Sequence, residues 1–274
     1  TAHHPDVEDA FTLFDADSYS ISALLPMGGA YNLAPQVSII GQFEDLGAPR
    51  CRFGGWVGGS GTVFNSTHAQ CRKPRFPDTE RSAVGTYPVD FSPNGQCFPS
   101  STSASFFTYN SQVNAILVEG APATSSVNLE VVGEGYVYPG LTGGKCRFVR
   151  SDGAATVDSS LVALSTTIVR CPTPATGWIG SWTVQVLQNG QDRDPALFAD
   201  PVFTEYDIGM VRVSSIQPAG GVVGLPTTVT VVGSGFARYG EGQLVCRIGN
   251  EPSVAGVLLD SGRILCTLPA ATAA

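Results

Sequence analysis

A block of about 100 residues occurs three times along this chain, and such a period constrains the fold more than any single motif. VVGEGY at 131–136 and VVGSGF at 231–236 lie 100 residues apart, and SIIGQF at 38–43 is a weaker copy without the second glycine. CRF at Cys51, CRF at Cys146 and CRI at Cys246 are spaced by 95 and 100 residues. CRKP at Cys71, CPTP at Cys171 and CTLP at Cys266 are spaced by 100 and 95. GTYPVDFSPNGQ at 85–96 matches GSWTVQVLQNGQ at 180–191, and FFTY at 106–109 matches VFTEY at 202–206. Ordered landmarks sharing one period define a tandem array.

The third copy shows what each unit is made of. From Thr228 to Pro269, Val229 and Val231 alternate with polar residues, the period of a strand with one buried face. Gly233 and Gly235 interrupt that strand where a bulge is easiest, and Phe236 then offers a large apolar group to a core. In the second copy Val127, Leu129 and Val131 form one face of a strand in the same way. No stretch keeps helical periodicity over a dozen residues, while 32 glycines, 19 prolines and 43% hydrophobic residues fit many short strands and turns. The expected class is all-β.

The repeats set the boundaries: 1–15 as the last strand of a preceding repeat and its connector, 16–110 and 111–207 as full repeats, 208–274 as a truncated third. FTLFD at 11–15 stands eleven residues before Pro26, as FTEYD at 203–207 stands eleven before Pro218, which makes residues 1–15 a closing strand. The third copy lacks the G-x-aromatic-x-V block. The chain therefore reads as a fragment of a longer array, because a complete protein of this form would leave strand edges unpaired.

Six of the seven cysteines keep the repeat's spacing. Pairs Cys51–Cys71, Cys146–Cys171 and Cys246–Cys266 would close loops of 20, 25 and 20 positions, each contributing about 3 kcal/mol by limiting the unfolded chain. A zinc site is disfavoured: there is no C-x-x-C, and the second and third repeats have no histidine beside their cysteines. Disulfides in turn imply an oxidising, extracellular setting. Cys97 is the odd one, standing where the second repeat has Asp192. A free thiol, a bond to a neighbouring domain and a bond to another chain are all open, with a covalent partner outside the frame favoured.

Charge and motifs exclude more than they specify. A net charge of −8 and a pI near 4.8 oppose nucleic-acid binding, and no run of 18 apolar residues marks a membrane span in this piece. No G-x-S-x-G, H-E-x-x-H or phosphate loop occurs, so neither an enzyme nor a cofactor is expected. His3 and His4 are two potential ligands without a third, and His68 reads as a surface residue. Asp15 and Asp17 read as a solvated edge. Asp192, Asp194, Asp200 and Asp207 form the richest acidic stretch, yet no D-x-D-x-D-G loop accompanies them and calcium is not expected. Asn65-Ser66-Thr67 is an N-glycosylation sequon in what should be a hairpin loop, and residues 99–105 are a serine-rich loop open to O-linked sugar. Asn94-Gly95 marks a tight turn, since both residue types can take positive φ. Trp182 aligns with Tyr87 as a core residue, and Trp178, without a counterpart, is expected to be exposed.

The order I-x-P-x-G-G, V-x-V-x-G-x-G-F, C-R-[FI], C-x-x-P and G-x-aromatic-x-V resembles the IPT/TIG domain. The resemblance implies immunoglobulin-like β-sandwiches in tandem, as in plexin-type receptors, giant surface proteins and some transcription factors. Two apposed antiparallel sheets also fit the short alternating strands. The first functional expectation is a structural extracellular array, a stalk or filament built end to end and contacting other chains of a surface assembly. The acidic, Ala/Gly/Pro-rich composition resembles algal surface or ciliary glycoproteins of mastigoneme type. The alternative is a ligand-binding receptor ectodomain, which predicts an exposed apolar or aromatic patch on one repeat.

Overall fold

The computed structural model describes residues 13–15, 18–76, 84–98, 104–137, 140–239, 244–247, 249 and 252–270. His3, His4, Asp17 and residues 99–103 lie outside the described residues. The first repeat contributes β1 (Ser20–Leu25), β2 (Gly28–Ala30), β3 (Gln36–Gln42), β4 (Arg50–Phe53), β5 (Trp56–Ser60), β6 (Thr62–Asn65), β7 (His68–Arg72), β8 (Gly85–Ser92) and β9 (Ser105–Tyr109). The second contributes β10 (Gln112–Ile116), β11 (Gly120–Pro122), β12 (Asn128–Glu134), β13 (Lys145–Arg150), β14 (Thr156–Ser160), β15 (Val162–Ala163), β16 (Ile168–Pro172), β17 (Gly180–Leu187) and β18 (Val202–Tyr206). The third contributes β19 (Arg212–Gln217), β20 (Thr227–Ser234), β21 (Val245–Cys246), β22 (Val254–Asp260) and β23 (Arg263–Leu268).

The same topology appears twice in full. Sheets β1-β3-β7-β6 and β2-β9-β8-β4-β5 form the first repeat, and β10-β12-β16-β15 and β11-β18-β17-β13-β14 form the second. In each, one short strand joins its sheet in parallel, β2 on β9 and β11 on β18, while the other neighbours run antiparallel. The strands of the third repeat form one sheet in the order β19-β20-β23-β22-β21. The chain is all-β and immunoglobulin-like. It divides into two compact units, one of Thr1–Asn110 with Leu141–Gly143 and Asn189–Asp192, the other of Ser111–Gly140, Gly144–Gln188 and Arg193–Ala274.

Each repeat has its own core, made by the inward residues of alternating strands. Val37, Ile39, Phe53, Val89 and Phe106 are fully buried in the first, and Leu129, Val131, Phe148, Val184 and Phe203 in the second. The third holds a smaller cluster around Val229, Phe236, Ile264 and Cys266. Disulfides Cys51–Cys71 and Cys146–Cys171 cross between the two sheets of their repeats, from β4 to β7 and from β13 to β16. Cys246–Cys266 joins β21 to β23. Their cysteines are all buried, so each bridge belongs to the core and not to the surface.

The glycine landmark has a steric cause. Opposite Gly41, Gly133 and Gly233 the partner strand bulges, between Ile21 and Ala23, Val113 and Ala115, and Val213 and Ser215. A Cβ at any of the three glycines would overlap the backbone carbonyl of Ser20, Gln112 or Arg212, and would press on the ring of Phe43, Tyr136 or Phe236. Their amide N–H groups donate instead to the tip of the following hairpin, to the carbonyls of Thr67 at 3.0 Å, Thr167 at 2.9 Å and Gly262 at 2.8 Å. The aromatic residue's own N–H donates one residue earlier in that tip, to Ser66, Thr166 or Ser261. Glycine, bulge, aromatic plug and hairpin tip thus form one module, which the sequence repeats.

The N-G-Q turns use positive φ at glycine alone. Gly95 and Gly190 take φ of 70° and 76°, but no non-glycine residue described has positive φ, so Asn94 does not. Its role is side-chain capping. Asn94 Oδ1 accepts from the backbone N–H of Gln96 and Cys97, and Asn189 Oδ1 from Gln191 and Asp192.

Candidate interaction surfaces

The second and third repeats are joined by a short, hydrogen-bonded connection. After β18, Asp207 caps a 3-10 turn at Ile208–Met210, its side chain accepting from the Gly209 N–H at 2.8 Å. Met210 N–H donates to the Asp207 carbonyl and Val211 N–H to that of Ile208, and β19 begins at Arg212. Tyr239, from the third repeat, stacks on Tyr206 with ring centroids 4.9 Å apart and planes 1° from parallel. The Glu119 N–H donates to the Tyr239 carbonyl at 3.2 Å. Gly120 leaves the room: a Cβ there would collide with the Tyr239 ring. Tyr206, Ile208, Val211, Phe236 and Leu244 line a cavity of about 190 Å³ around the contact. Nothing in the period of the repeat marks Tyr239; its partner is decided by the fold.

A second surface lies on the third repeat. Ile216, Val222, Val223, Leu225, Val229 and Leu268 line an open apolar cavity of about 250 Å³. Val222, Val223 and Leu225 are all more than half exposed. In the first two repeats β2 and β11 pair in parallel with β9 and β18. Gly220 and Gly221 match the glycines of β2, and no described residue pairs with them.

The other singled-out residues are placed as follows. Asn65 is exposed at the end of β6, where its Oδ1 accepts from the N–H and hydroxyl of Thr67, both at 2.9 Å. His68 is half-buried, its ring 5.0 Å from that of Phe64. Cys97 is an exposed thiol. Trp178 is not the exposed residue the sequence suggested. It is half-buried, edge-on to Trp182 at 5.3 Å and covered by the Arg150 guanidinium at 4.3 Å, and Gly180 leaves the room, since a Cβ there would collide with the Trp178 ring. The acidic stretch is spent on separate neighbours: Asp192 accepts from Asn189, Asp194 from Gln188, and Asp200 from Gln185 and Arg193. Among the described residues no three His, Cys, Asp or Glu converge.

Lys73 and Glu205 are among the buried charges that escaped the sequence reading. Lys73, of CRKP, is fully buried, and its Nζ donates to the carbonyls of Tyr31 at 2.8 Å, Pro74 at 3.0 Å, Leu33 at 3.1 Å and Ala30 at 3.4 Å. It also lies 4.1 Å from the centre of the Phe76 ring, and burial lowers its pKa to about 8. Glu205 is 1% exposed and accepts from the Trp182 indole at 3.0 Å and the Thr176 hydroxyl at 3.1 Å. Burial raises its carboxyl above the usual range against those two donors. Strand alternation could have found it, since Glu205 shares the inward face of β18 with Phe203. Lys73 continues the inward phase of Ala69 and Cys71 one step past β7, but its long stem and charge are those of a surface residue.

Tandem immunoglobulin-like β-sandwiches, stapled by buried disulfides, are the class of protein this architecture defines. Residues 212–274 match the IPT/TIG domain family. No curated protein sequence matches the chain. Among solved structures it is similar to the full extracellular region of plexin A4, with 15% identity and a TM-score of 0.48, over 99% of this chain and 23% of that one. A second plexin A4 structure is matched over 94% of this chain and 31% of its own length, with 11% identity and a TM-score of 0.37. The I67–I69 fragment of titin shows 8% identity and a TM-score of 0.28, over 93% of this chain and 88% of its own. The chain thus spans less than a third of the plexin structures it matches.

Proposed function

We propose that the chain is part of a structural extracellular array, in which IPT/TIG-type sandwiches follow one another end to end in a stalk or filament of a surface or ciliary appendage. The joint between the second and third repeats carries this reading. A single residue separates β18 from the 3-10 turn, the turn is closed by its own hydrogen bonds, and the Tyr206–Tyr239 stack ties the two repeats laterally. So short a connection leaves neighbours little freedom. Three buried disulfides support the extracellular setting. Its partners would be other chains of the assembly or neighbouring copies, and a mastigoneme-type glycoprotein is the narrower form of the proposal. Electron microscopy of the native protein should show regular fibres or straight rods; dispersed, freely bending particles would overturn the reading.

A second reading, a ligand-binding receptor ectodomain, is favoured by the apolar cavity beside Val222 and Leu225. It requires saturable binding of a protein ligand that Val223→Asp abolishes. In the structural reading that substitution alters assembly only.

A further inference from the structure

All three repeats close the hairpin before the second cysteine with one device, and in one repeat the device exceeds what the turn needs. A side chain at the tip of the hairpin accepts from the N–H two positions on: Asn65 from Thr67, Ser165 from Thr167 and Asp260 from Gly262. The three positions are equivalent, because the residues three further on, His68, Ile168 and Arg263, pair with Ile40, Val132 and Val232 of matching strands. An oxygen acceptor is all the turn requires, and serine or aspartate supplies it. Asn65 adds an amide nitrogen, which has no hydrogen-bond partner among the described residues, on an exposed tip. The hydroxyl of Thr67 donates to the same Oδ1, so both elements of the sequon are held together in the folded hairpin.

From this geometry we infer that Asn65 is a site of N-linked glycosylation, and that its glycan covers the free edge of the first repeat. In the transfer, Asn65 Nδ2 forms a bond to the anomeric carbon of a lipid-pyrophosphate-linked oligosaccharide. The bond from that carbon to the pyrophosphate oxygen breaks, the lipid pyrophosphate leaves with the electron pair, and the displaced amide proton goes to base. The inference rests on the extracellular reading, since the donor is met on the secretory route. What the sugar would cover is specific. β6 is the outer strand of β1-β3-β7-β6, and Phe64, 56% exposed, sits beside Asn65 on that edge. An unpaired edge carrying an exposed aromatic is a template for pairing with another chain, and a bulky hydrophilic group there blocks the approach. The counterpart in the second repeat, β15, has only two residues and offers little edge to protect.

The test is mass spectrometry of the disulfide-mapped protein secreted from a eukaryotic host. Peptide-N-glycosidase in heavy-oxygen water should remove a glycan and leave labelled aspartate at position 65. Thr67→Ser should keep the glycan and Thr67→Ala lose it. Intact disulfides with an unmodified Asn65 would overturn the site alone, whereas six reduced thiols would overturn the extracellular placement. Deglycosylation leaves an aspartate, which serves the same turn at Asp260, so the fold survives the comparison. Sedimentation at matched concentration should show the deglycosylated form associating beyond the glycosylated form, with Phe64→Ser abolishing that added association. A deglycosylated protein that associates no further would overturn the shielding role.

Discussion

The indole N–H of Trp182 donates to the carboxylate of Glu205 at 3.0 Å, within the core of the second repeat. The tryptophan fills the sandwich, and the glutamate is what its polar edge meets. Glu205 Oε1 has no hydrogen-bond partner among the described residues, so ionised Glu205 is held at a cost. Its folded-state pKa lies above the unfolded value, so its contribution to stability is complete below the unfolded pKa and is lost as pH rises through the folded one. Glu205→Gln keeps an acceptor for Trp182 without the charge. It should raise stability at pH 7 by about 1 kcal/mol in denaturant titrations, with the gain shrinking towards pH 4. A loss at pH 7 would refute the argument.

Lys73 titrates under the opposite sign. A lysine depressed to about 8 sheds its proton in the folded state well before the unfolded chain does. Its contribution therefore increases from pH 8 towards the unfolded value of about 10.4 and falls again as pH drops through the folded pKa. Nitrogen-detected NMR of Nζ should place the midpoint near 8. A midpoint close to that of free lysine would mean that the four carbonyls outweigh desolvation.

The close approach at Gly133 predicts a sharp contrast among glycines. Gly133→Ala puts a methyl group into the Gln112 carbonyl and the Tyr136 ring, and should cost about 2–3 kcal/mol or more. Gly85, whose Cβ would meet nothing within 4 Å, should tolerate alanine within about 0.5 kcal/mol. Equal effects in urea unfolding would remove the steric explanation of the landmark.

The bridge across the second repeat should be a large share of that repeat's stability. Replacing Cys146 and Cys171 together by alanine opens a loop of 25 positions and should cost about 3 kcal/mol, read as a lower melting temperature in the absence of reductant. A double variant melting with the parent would show the bridge to be dispensable.

Much of this protein is written in local pattern. Alternating valines fix which strand face is buried, because successive side chains of a strand point to opposite sides. The cysteine frame, the N-G-Q turns and the glycine bulge are legible because each acts over a few residues and recurs at one spacing. Asn65 was legible as a sequon, but its equivalence with Ser165 and Asp260 emerged only from the strand register. Asn94 shows the limit within a turn: its residue type marks the place, while its backbone angle follows from a capping bond that type alone does not reveal.

The chain's amino acids by themselves determined a threefold β module with a buried sulfur bridge in each copy, since periodicity and steric need at glycine are properties of the local sequence. Only the tertiary structure decided that Lys73 is buried under carbonyls, that Glu205 lies beneath Trp182, that Trp178 is covered by Arg150, and that Tyr239 stacks on Tyr206. Each of those depends on which distant segment arrives opposite a residue, and burial and pairing across a sandwich are set by that arrival and not by the neighbours in the chain.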